Sequence, residues 1–133
     1  MKIAGCVTVM FAFLLVLSSP AISLAGEADV VGVKARSGGD GTWSFSVTVR
    51  HDDEGWDHYA DRWELLGPDG EVLGTRVLLH PHVGEQPFTR SLGGVEIPEG
   101  LGKVVVRARD SVHGYGGKEM GIELSEVKAE GGK

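Results

Sequence analysis

The chain has 133 residues, with 13 Lys+Arg, 19 Asp+Glu, 5 His and a single Cys, and a formal net charge of −6. This length is typical of one domain, and the acidic excess argues against a nucleic-acid-binding protein, which needs a basic surface. A hydrophobic fraction of 41% is ordinary for a globular protein and argues against a disordered chain.

The N-terminal segment has the pattern of a signal peptide. Lys2 precedes an apolar run over residues 7–17, and Ser23 and Ala25 place small residues at positions −3 and −1 of a cut after Ala25. The run is too short for a transmembrane anchor. Residues 1–25 are therefore predicted to be removed on export.

Cleavage would have three consequences for the mature chain. Residues 26–133 would carry a net charge of −7, because Lys2 is lost, and they would contain no cysteine, because Cys6 is lost as well. The mature domain would have no disulfide and no thiolate ligand. We expect a periplasmic or extracellular protein with no membrane anchor after cleavage.

The rest of the chain alternates apolar and polar residues in short segments that are separated by Gly, Pro and Asp clusters. The clearest alternation places Trp43, Phe45, Val47 and Val49 on one face of a strand. Gly93-Gly94 interrupts the fifth segment and predicts a β-bulge. No amphipathic helix of useful length is predicted. The predicted strands cover residues 28–36, 42–50, 58–66, 71–79, 88–97, 103–110 and 118–124.

This pattern predicts an all-β fold, a single immunoglobulin-like or fibronectin-III-like antiparallel sandwich of about seven strands. The domain would occupy residues 26–126, followed by a polar C-terminal tail over residues 127–133. An open barrel or a jelly roll is the alternative architecture.

All five histidines fall outside the strand interiors, and strand order predicts where they meet. Each strand of an antiparallel sandwich reverses the chain direction, so alternate loops emerge at the same end. The loops after the second, fourth and sixth strands share one end, and they carry every histidine of the chain. The predicted metal ligands are His80, His82, His113, His51 and His58, the first three being the most secure.

Imidazole is the commonest protein ligand for transition metals. His80 and His82 are two residues apart in an extended segment, so their rings should project to the same side. The histidine set favours copper or zinc over iron or nickel. Side chains expected beside the metal, or in contact with a partner, are Asp53, Asp57, Asp61, Trp56, Tyr59, Asp110 and Tyr115.

Two alternatives to a metal site stay open at this point. The same loops could form a metal-free surface that binds a ligand or an envelope protein, or the histidines could be ordinary solvated residues. Nucleophilic catalysis has little support, because no Gly-x-Ser-x-Gly elbow is present. Binding is therefore favoured over an enzymatic activity, which the sequence leaves open, and the oligomeric state is not predicted.

Two resemblances accompany this interpretation. Residues 50–61, 79–82 and 110–117 resemble segments of small exported bacterial proteins with an immunoglobulin-like β-sandwich, a likeness that would cover most of the mature chain and implies no particular activity. His80-Pro81-His82 also resembles the His-x-His copper pair of Cu/Zn superoxide dismutases. That likeness covers three residues only, and it does not extend to the dismutase activity.

Overall fold

The computed structural model of the protein describes residues 26–130. The predicted signal peptide, residues 1–25, lies outside the described residues, as do residues 131–133 of the predicted tail. The described elements are β1 (Asp29–Ser37), β2 (Thr42–Arg50), β3 (Ala60–Leu66), β4 (Val72–Val77), β5 (Phe88–Glu96), β6 (Lys103–Asp110), β7 (Met120–Glu123) and α1 (Leu124–Glu130).

The strands form two antiparallel sheets. One has three strands in the order β1-β2-β5, and the other has four in the order β4-β3-β6-β7. The core lies between them, and β2 contributes the four apolar residues predicted to face inward, Trp43, Phe45, Val47 and Val49, all of which are buried. The prediction of an all-β, seven-stranded antiparallel sandwich is confirmed.

Two of the four register shifts between paired strands bear on the sequence-based predictions. In β5, Gly93 and Gly94 lie opposite the single residue Ser44 of β2, and Gly94 has a φ of 66° that favours glycine. The bulge predicted from the glycine pair is therefore confirmed. A second register shift lies at Asp61, between Ala60 and Arg62 of β3. It explains why Asp61 interrupts the apolar alternation of that strand.

The end of the described chain differs from the sequence-based expectation. Residues 124–130 form α1, where the sequence predicted the end of a strand and the start of a polar tail. Leu124 is buried and Val127 packs against the core. The i, i+3 spacing of these two residues places both on one side of a helix. No helix within residues 26–130 is long and apolar enough to cross a membrane.

The loops that follow β2, β4 and β6 meet at one end of the sandwich. The His51 backbone N–H donates to Gln86 Oε1 at 2.9 Å, which joins the β2–β3 loop to the β4–β5 loop. The Ser111 N–H donates to the Tyr59 carbonyl at 2.9 Å, which joins the β6–β7 loop to the start of β3. We call this end, with its three loops at residues 51–59, 78–87 and 111–119, the histidine end.

The opposite end contains a cavity of about 590 Å³. Its lining includes Trp43 and Leu124 together with residues from the turns at 37–41 and 97–102. No imidazole lines this cavity, so it is separate from the chemistry suggested by the histidines.

A buried carboxylate on the four-stranded sheet organises a polar cluster. Arg107 donates to Glu64 Oε2 through Nε at 3.1 Å and Nη2 at 2.9 Å, and the Tyr115 hydroxyl donates to Glu64 Oε1 at 2.5 Å. Burial alone raises the pKa of Glu64, but the hydrogen bonds from Tyr115 and Arg107 outweigh it and hold the pKa below its ordinary value. Tyr115, expected beside the histidines, is thus engaged with Glu64.

This cluster predicts a pH-dependent effect of Tyr115→Phe. A carboxyl with a lowered folded-state pKa stabilises the protein above its unfolded-state pKa of about 4.3, and this stabilisation is lost as the pH falls through the folded-state pKa. Removing the hydroxyl should therefore lower the free energy of unfolding by about 1.5–3 kcal/mol at pH 7, with the difference shrinking as Glu64 is protonated. Urea unfolding from pH 2.5 to pH 7 measures this.

Tyr59→Phe is the matched control, because the Tyr59 hydroxyl has no hydrogen-bond partner among the described residues. A Tyr115→Phe effect that stays constant over the whole pH range would contradict the assignment.

Candidate metal centre

Three side chains from separate parts of the sequence converge at the histidine end. His51 follows β2, His58 precedes β3, and Asp110 is the last residue of β6. One potential ligand atom from each of these residues lies within 4.8 Å of the other two. We call this group the His-His-Asp cluster.

The turn between the two histidines places them together. The Glu54 N–H donates to the His58 carbonyl at 2.8 Å, and the His58 N–H donates to the Gly55 carbonyl at 3.2 Å. Gly55 has a φ of 114°, a conformation that L side chains rarely adopt. The tight turn leaves the rings of His51 and His58 with centroids 4.9 Å apart.

Asp110 Oδ2 is the point at which the two imidazoles meet. His58 Nε2 lies 2.6 Å from this oxygen, and His51 Nε2 also contacts it. The side chains of His51 and Asp110 are fully buried, whereas that of His58 is 13% exposed. The cluster is therefore almost dry, with access to solvent on the His58 side.

A second buried carboxylate fixes the orientation of the His51 ring. His51 Nδ1 donates to Asp53 Oδ1 at 2.5 Å, and the N–H groups of Ala60 and His82 donate to Asp53 at 3.1 and 2.6 Å. In the neutral imidazole, a proton held on Nδ1 leaves the lone pair on Nε2, which is the atom that faces Asp110. Carboxylates orient metal-binding histidines in this way.

The contact between His51 Nε2 and Asp110 Oδ2 does not have the geometry of a normal hydrogen bond. His51 Nε2 and Asp110 Oδ2 are both buried, and neither makes a hydrogen bond of acceptable geometry within the described residues. If Nδ1 carries the only proton of the imidazole, both atoms are acceptors. Two buried acceptors in contact repel each other unless a proton or a metal ion lies between them.

The pKa shifts of Asp110 and His58 also indicate that a positive charge beside the Asp110 carboxylate is stabilised. Burial raises the pKa of Asp110, but N–H donors from His113 and Val112 outweigh it, with help from His51 and His58, so that the pKa lies below its ordinary value. Burial lowers the pKa of His58, yet the Gly26 carbonyl and Asp110 raise it above its ordinary value. A proton or a metal ion is favoured between these groups.

His113 lies beside the cluster. Its ring centroid is 5.0 Å from that of His58, and its Nδ1 is 3.0 Å from Asp110 Oδ1. The side chain is 43% exposed. His113 is thus placed to move toward an ion at the cluster without a large rearrangement of buried groups.

His80 and His82 are brought near each other but not into the cluster. Their ring centroids are 4.5 Å apart, as the i, i+2 spacing predicted. However, His82 stacks on Phe88 at 3.9 Å, and its Nε2 accepts a hydrogen bond from Arg90 at 2.8 Å. Burial and the charges of Arg90 and His80 lower the pKa of His82. The exposed His80 ring bonds to the carbonyl of Pro81 at 3.0 Å.

The other residues expected around the metal fall into two groups. Asp53 supports His51, as described above, and Asp110 lies in the cluster itself. Trp56 and Tyr59 contact each other with centroids 5.7 Å apart, and Asp61 pairs with Arg109. Within the described part of the chain, neither these three residues nor the exposed Asp57 make a hydrogen bond or an ion pair with His51, His58 or Asp110.

The cluster would have to open slightly to hold an ion. Zinc–nitrogen bonds of about 2.0–2.1 Å separate the ligand atoms of a tetrahedral site by about 3.3–3.4 Å. The distance between His58 Nε2 and Asp110 Oδ2 is 2.6 Å, so the ligand atoms must separate by less than about 1 Å. A side-chain rotation at the partly exposed His58 can widen its contact with Asp110. The contact between His51 and Asp110 is closer and joins two fully buried side chains, so one of these must shift as well.

Comparison with known proteins identifies a curated relative of this chain. The chain is 50% identical over 97 residues to a protein from Halomicrobium mukohataei described as "Putative lipoprotein". The match covers 73% of this chain and 47% of that protein, so the chain spans about half the length of this relative. No family model matches the chain. No solved structure matches it either.

The sequence analysis did not identify three residues that contact the histidines. The Gln86 side chain bonds to the His51 N–H and to the His82 carbonyl, Arg90 bonds to His82, and the Gly26 carbonyl lies 3.3 Å from His58 Nε2. No motif marks Gln86 or Arg90. Gly26 could have been noticed, because the predicted cut after Ala25 makes it the first mature residue.

Proposed function

We propose that the His-His-Asp cluster binds a divalent transition metal, copper or zinc, in an exported, envelope-associated protein. The contact between His51 Nε2 and Asp110 Oδ2 carries this proposal. These two buried atoms are in contact without a hydrogen bond of acceptable geometry. A metal ion between them would satisfy both, as a proton on Nε2 also would.

The donor set supports copper or zinc over harder ions. Two imidazole nitrogens and one carboxylate oxygen are ligands that Zn²⁺ and Cu²⁺ accept, whereas Ca²⁺ and Mg²⁺ prefer oxygen ligands alone. His113 or a solvent molecule could supply a fourth ligand. The edge of the cluster at His58 is open to solvent, so a bound ion could exchange. The site therefore fits reversible metal binding for storage, delivery or sensing better than a permanently bound structural ion.

Two independent observations support the proposed location of the protein at the cell envelope. The N-terminal segment has the pattern of a signal peptide, and the relative from Halomicrobium mukohataei is described as a lipoprotein. Both agree with a protein that leaves the cytoplasm and works at the cell envelope.

Titration of the purified protein with Zn²⁺ and Cu²⁺ tests the proposed function. We expect one ion per chain with a dissociation constant of about 1 μM or tighter at neutral pH, which corresponds to about −8 kcal/mol. Saturating metal should also raise the melting temperature, and a chelator should reverse the rise. Binding weaker than this, with no change in the melting temperature, would contradict the proposal.

A second candidate function is a metal-free surface that binds an envelope protein. Four large apolar side chains are exposed in the three loops of the histidine end, namely Trp56, Leu79, Val83 and Val112. Exposed apolar patches commonly mark interaction sites, and the acidic chain would favour a cationic partner. Binding that persists in chelator but is lost in Trp56→Ala would favour this function.

A further inference from the structure

Gly26 lies against two neighbouring imidazoles of the histidine end, those of His58 and His113. Its carbonyl oxygen is 3.3 Å from His58 Nε2. A Cβ atom built at position 26 would lie 2.9 Å from Cε1 and 3.1 Å from Nε2 of His113. Gly26 therefore reaches His58 through its carbonyl and packs closely against His113, and any larger residue would displace the His113 ring.

Contacts of the next few residues hold Gly26 in this place. The Val30 N–H donates to the Lys118 carbonyl at 2.8 Å, and the Lys118 N–H donates to Asp29 Oδ1 at 2.7 Å. Ala28 is buried, and a Cβ at Gly117 would come within 1.9 Å of its carbonyl oxygen. The segment that leads into β1 is thus packed closely on the β6–β7 loop, so the position of Gly26 is set by the fold.

We propose that proteolytic removal of residues 1–25 completes the metal site by freeing the α-amino group of Gly26 as a further nitrogen ligand. The inference rests on the proposed function of the His-His-Asp cluster. It assigns to Gly26 a role that the uncleaved chain cannot perform, because an amide nitrogen has no available lone pair.

The chemistry of the processing step is a simple hydrolysis. Water cleaves the bond between the Ala25 carbonyl carbon and the Gly26 nitrogen. Its hydroxyl goes to the Ala25 carboxyl group and its proton to the Gly26 amine. A free α-amino group has a pKa of about 7.7–8.0, so a useful fraction is neutral near neutral pH. The amine and the Gly26 carbonyl oxygen, which already faces His58, could then bind one ion as a five-membered chelate ring.

The completed ligand set would contain His51, His58, Asp110 and the amine and carbonyl oxygen of Gly26, which is three nitrogens and two oxygens. This set suits Cu²⁺ as well as Zn²⁺. It also makes metal loading a property of the processed protein, so the precursor would bind the ion more weakly before export.

The first arm of the test determines the native N-terminus. The full-length gene is expressed in a host that exports the protein, and the mass of the purified product is measured. We expect the chain to begin at Gly26. A chain that begins at any other residue would overturn the inference and leave the His-His-Asp cluster unaffected.

The second arm compares two chains that differ by one residue. One begins at Gly26 and the other at Ala25, so that both have a free amine but only one has it in the right place. Every described strand follows Gly26 in sequence, so both chains contain the whole described fold. We expect the Gly26 chain to bind Cu²⁺ at least about tenfold more tightly at pH 7.5, and its electron paramagnetic resonance spectrum to show coupling to one additional nitrogen.

The outcomes separate the two proposals. Equal affinity and equal nitrogen coupling in both chains would overturn the role of the Gly26 amine while supporting metal binding by the cluster. Absence of Cu²⁺ and Zn²⁺ binding in both chains would overturn the proposed function, and the further inference with it.

Discussion

Replacing Asp110 by Asn is expected to lower the affinity for Zn²⁺ or Cu²⁺ by about 100-fold or more. Asp110 Oδ2 contacts both imidazoles of the cluster, and the substitution removes the negative charge that would bind the ion. The shape of the side chain is kept, and an amide oxygen can still accept the N–H groups of Val112 and His113. The variant should therefore fold, as circular dichroism can verify, while titration shows the lost affinity.

His80→Ala is the matched control for this substitution. His80 lies in the same end of the sandwich, but its ring bonds to the Pro81 carbonyl and stacks near His82 rather than near Asp110. Its removal should change the metal affinity by less than about threefold. If His80→Ala abolished binding and Asp110→Asn did not, the site would be at the other histidine pair.

Replacing Asp53 by Ala is expected to be the most destabilising change at the histidine end. The Asp53 carboxylate is fully buried and accepts hydrogen bonds from His51 Nδ1 and from the N–H groups of Ala60 and His82. Its removal leaves three buried donors without partners. We expect a loss of about 3–5 kcal/mol in the free energy of unfolding, measured by urea denaturation of the metal-free protein.

Asp57→Ala provides the comparison, because Asp57 is an exposed acidic residue of the same loop. Its effect should stay within about 0.5 kcal/mol. Equal and small effects of both substitutions would show that Asp53 does not hold the loops together, and the orientation of His51 would need another explanation.

Much of the architecture could be predicted because it depends on backbone periodicity. The alternation in β2 and the glycine pair in β5 are local signals, and both correspond to the observed strand and bulge. The loops that carry the histidines meet at one end because antiparallel strands reverse direction, which requires only the number and order of the strands. Side-chain contacts play no part in that inference.

The composition of the cluster could not be predicted, because it depends on the direction of individual side chains. His80 and His82 had the clearest spacing, yet Phe88 and Arg90, which follow in the chain, engage the His82 ring. Asp110 was expected as a supporting residue, but its position at the end of β6 brings its carboxylate to both His51 and His58. Contacts of this kind join residues up to 59 positions apart and leave no local pattern.

The most direct test of the metal centre is a crystal structure of the zinc-loaded protein with anomalous diffraction measured at the zinc edge. We predict one anomalous peak at about 2.0–2.1 Å from His51 Nε2, from His58 Nε2 and from a carboxylate oxygen of Asp110. A peak at His80 and His82, or an intact contact between His51 and Asp110 with no zinc beside it, would contradict the assignment.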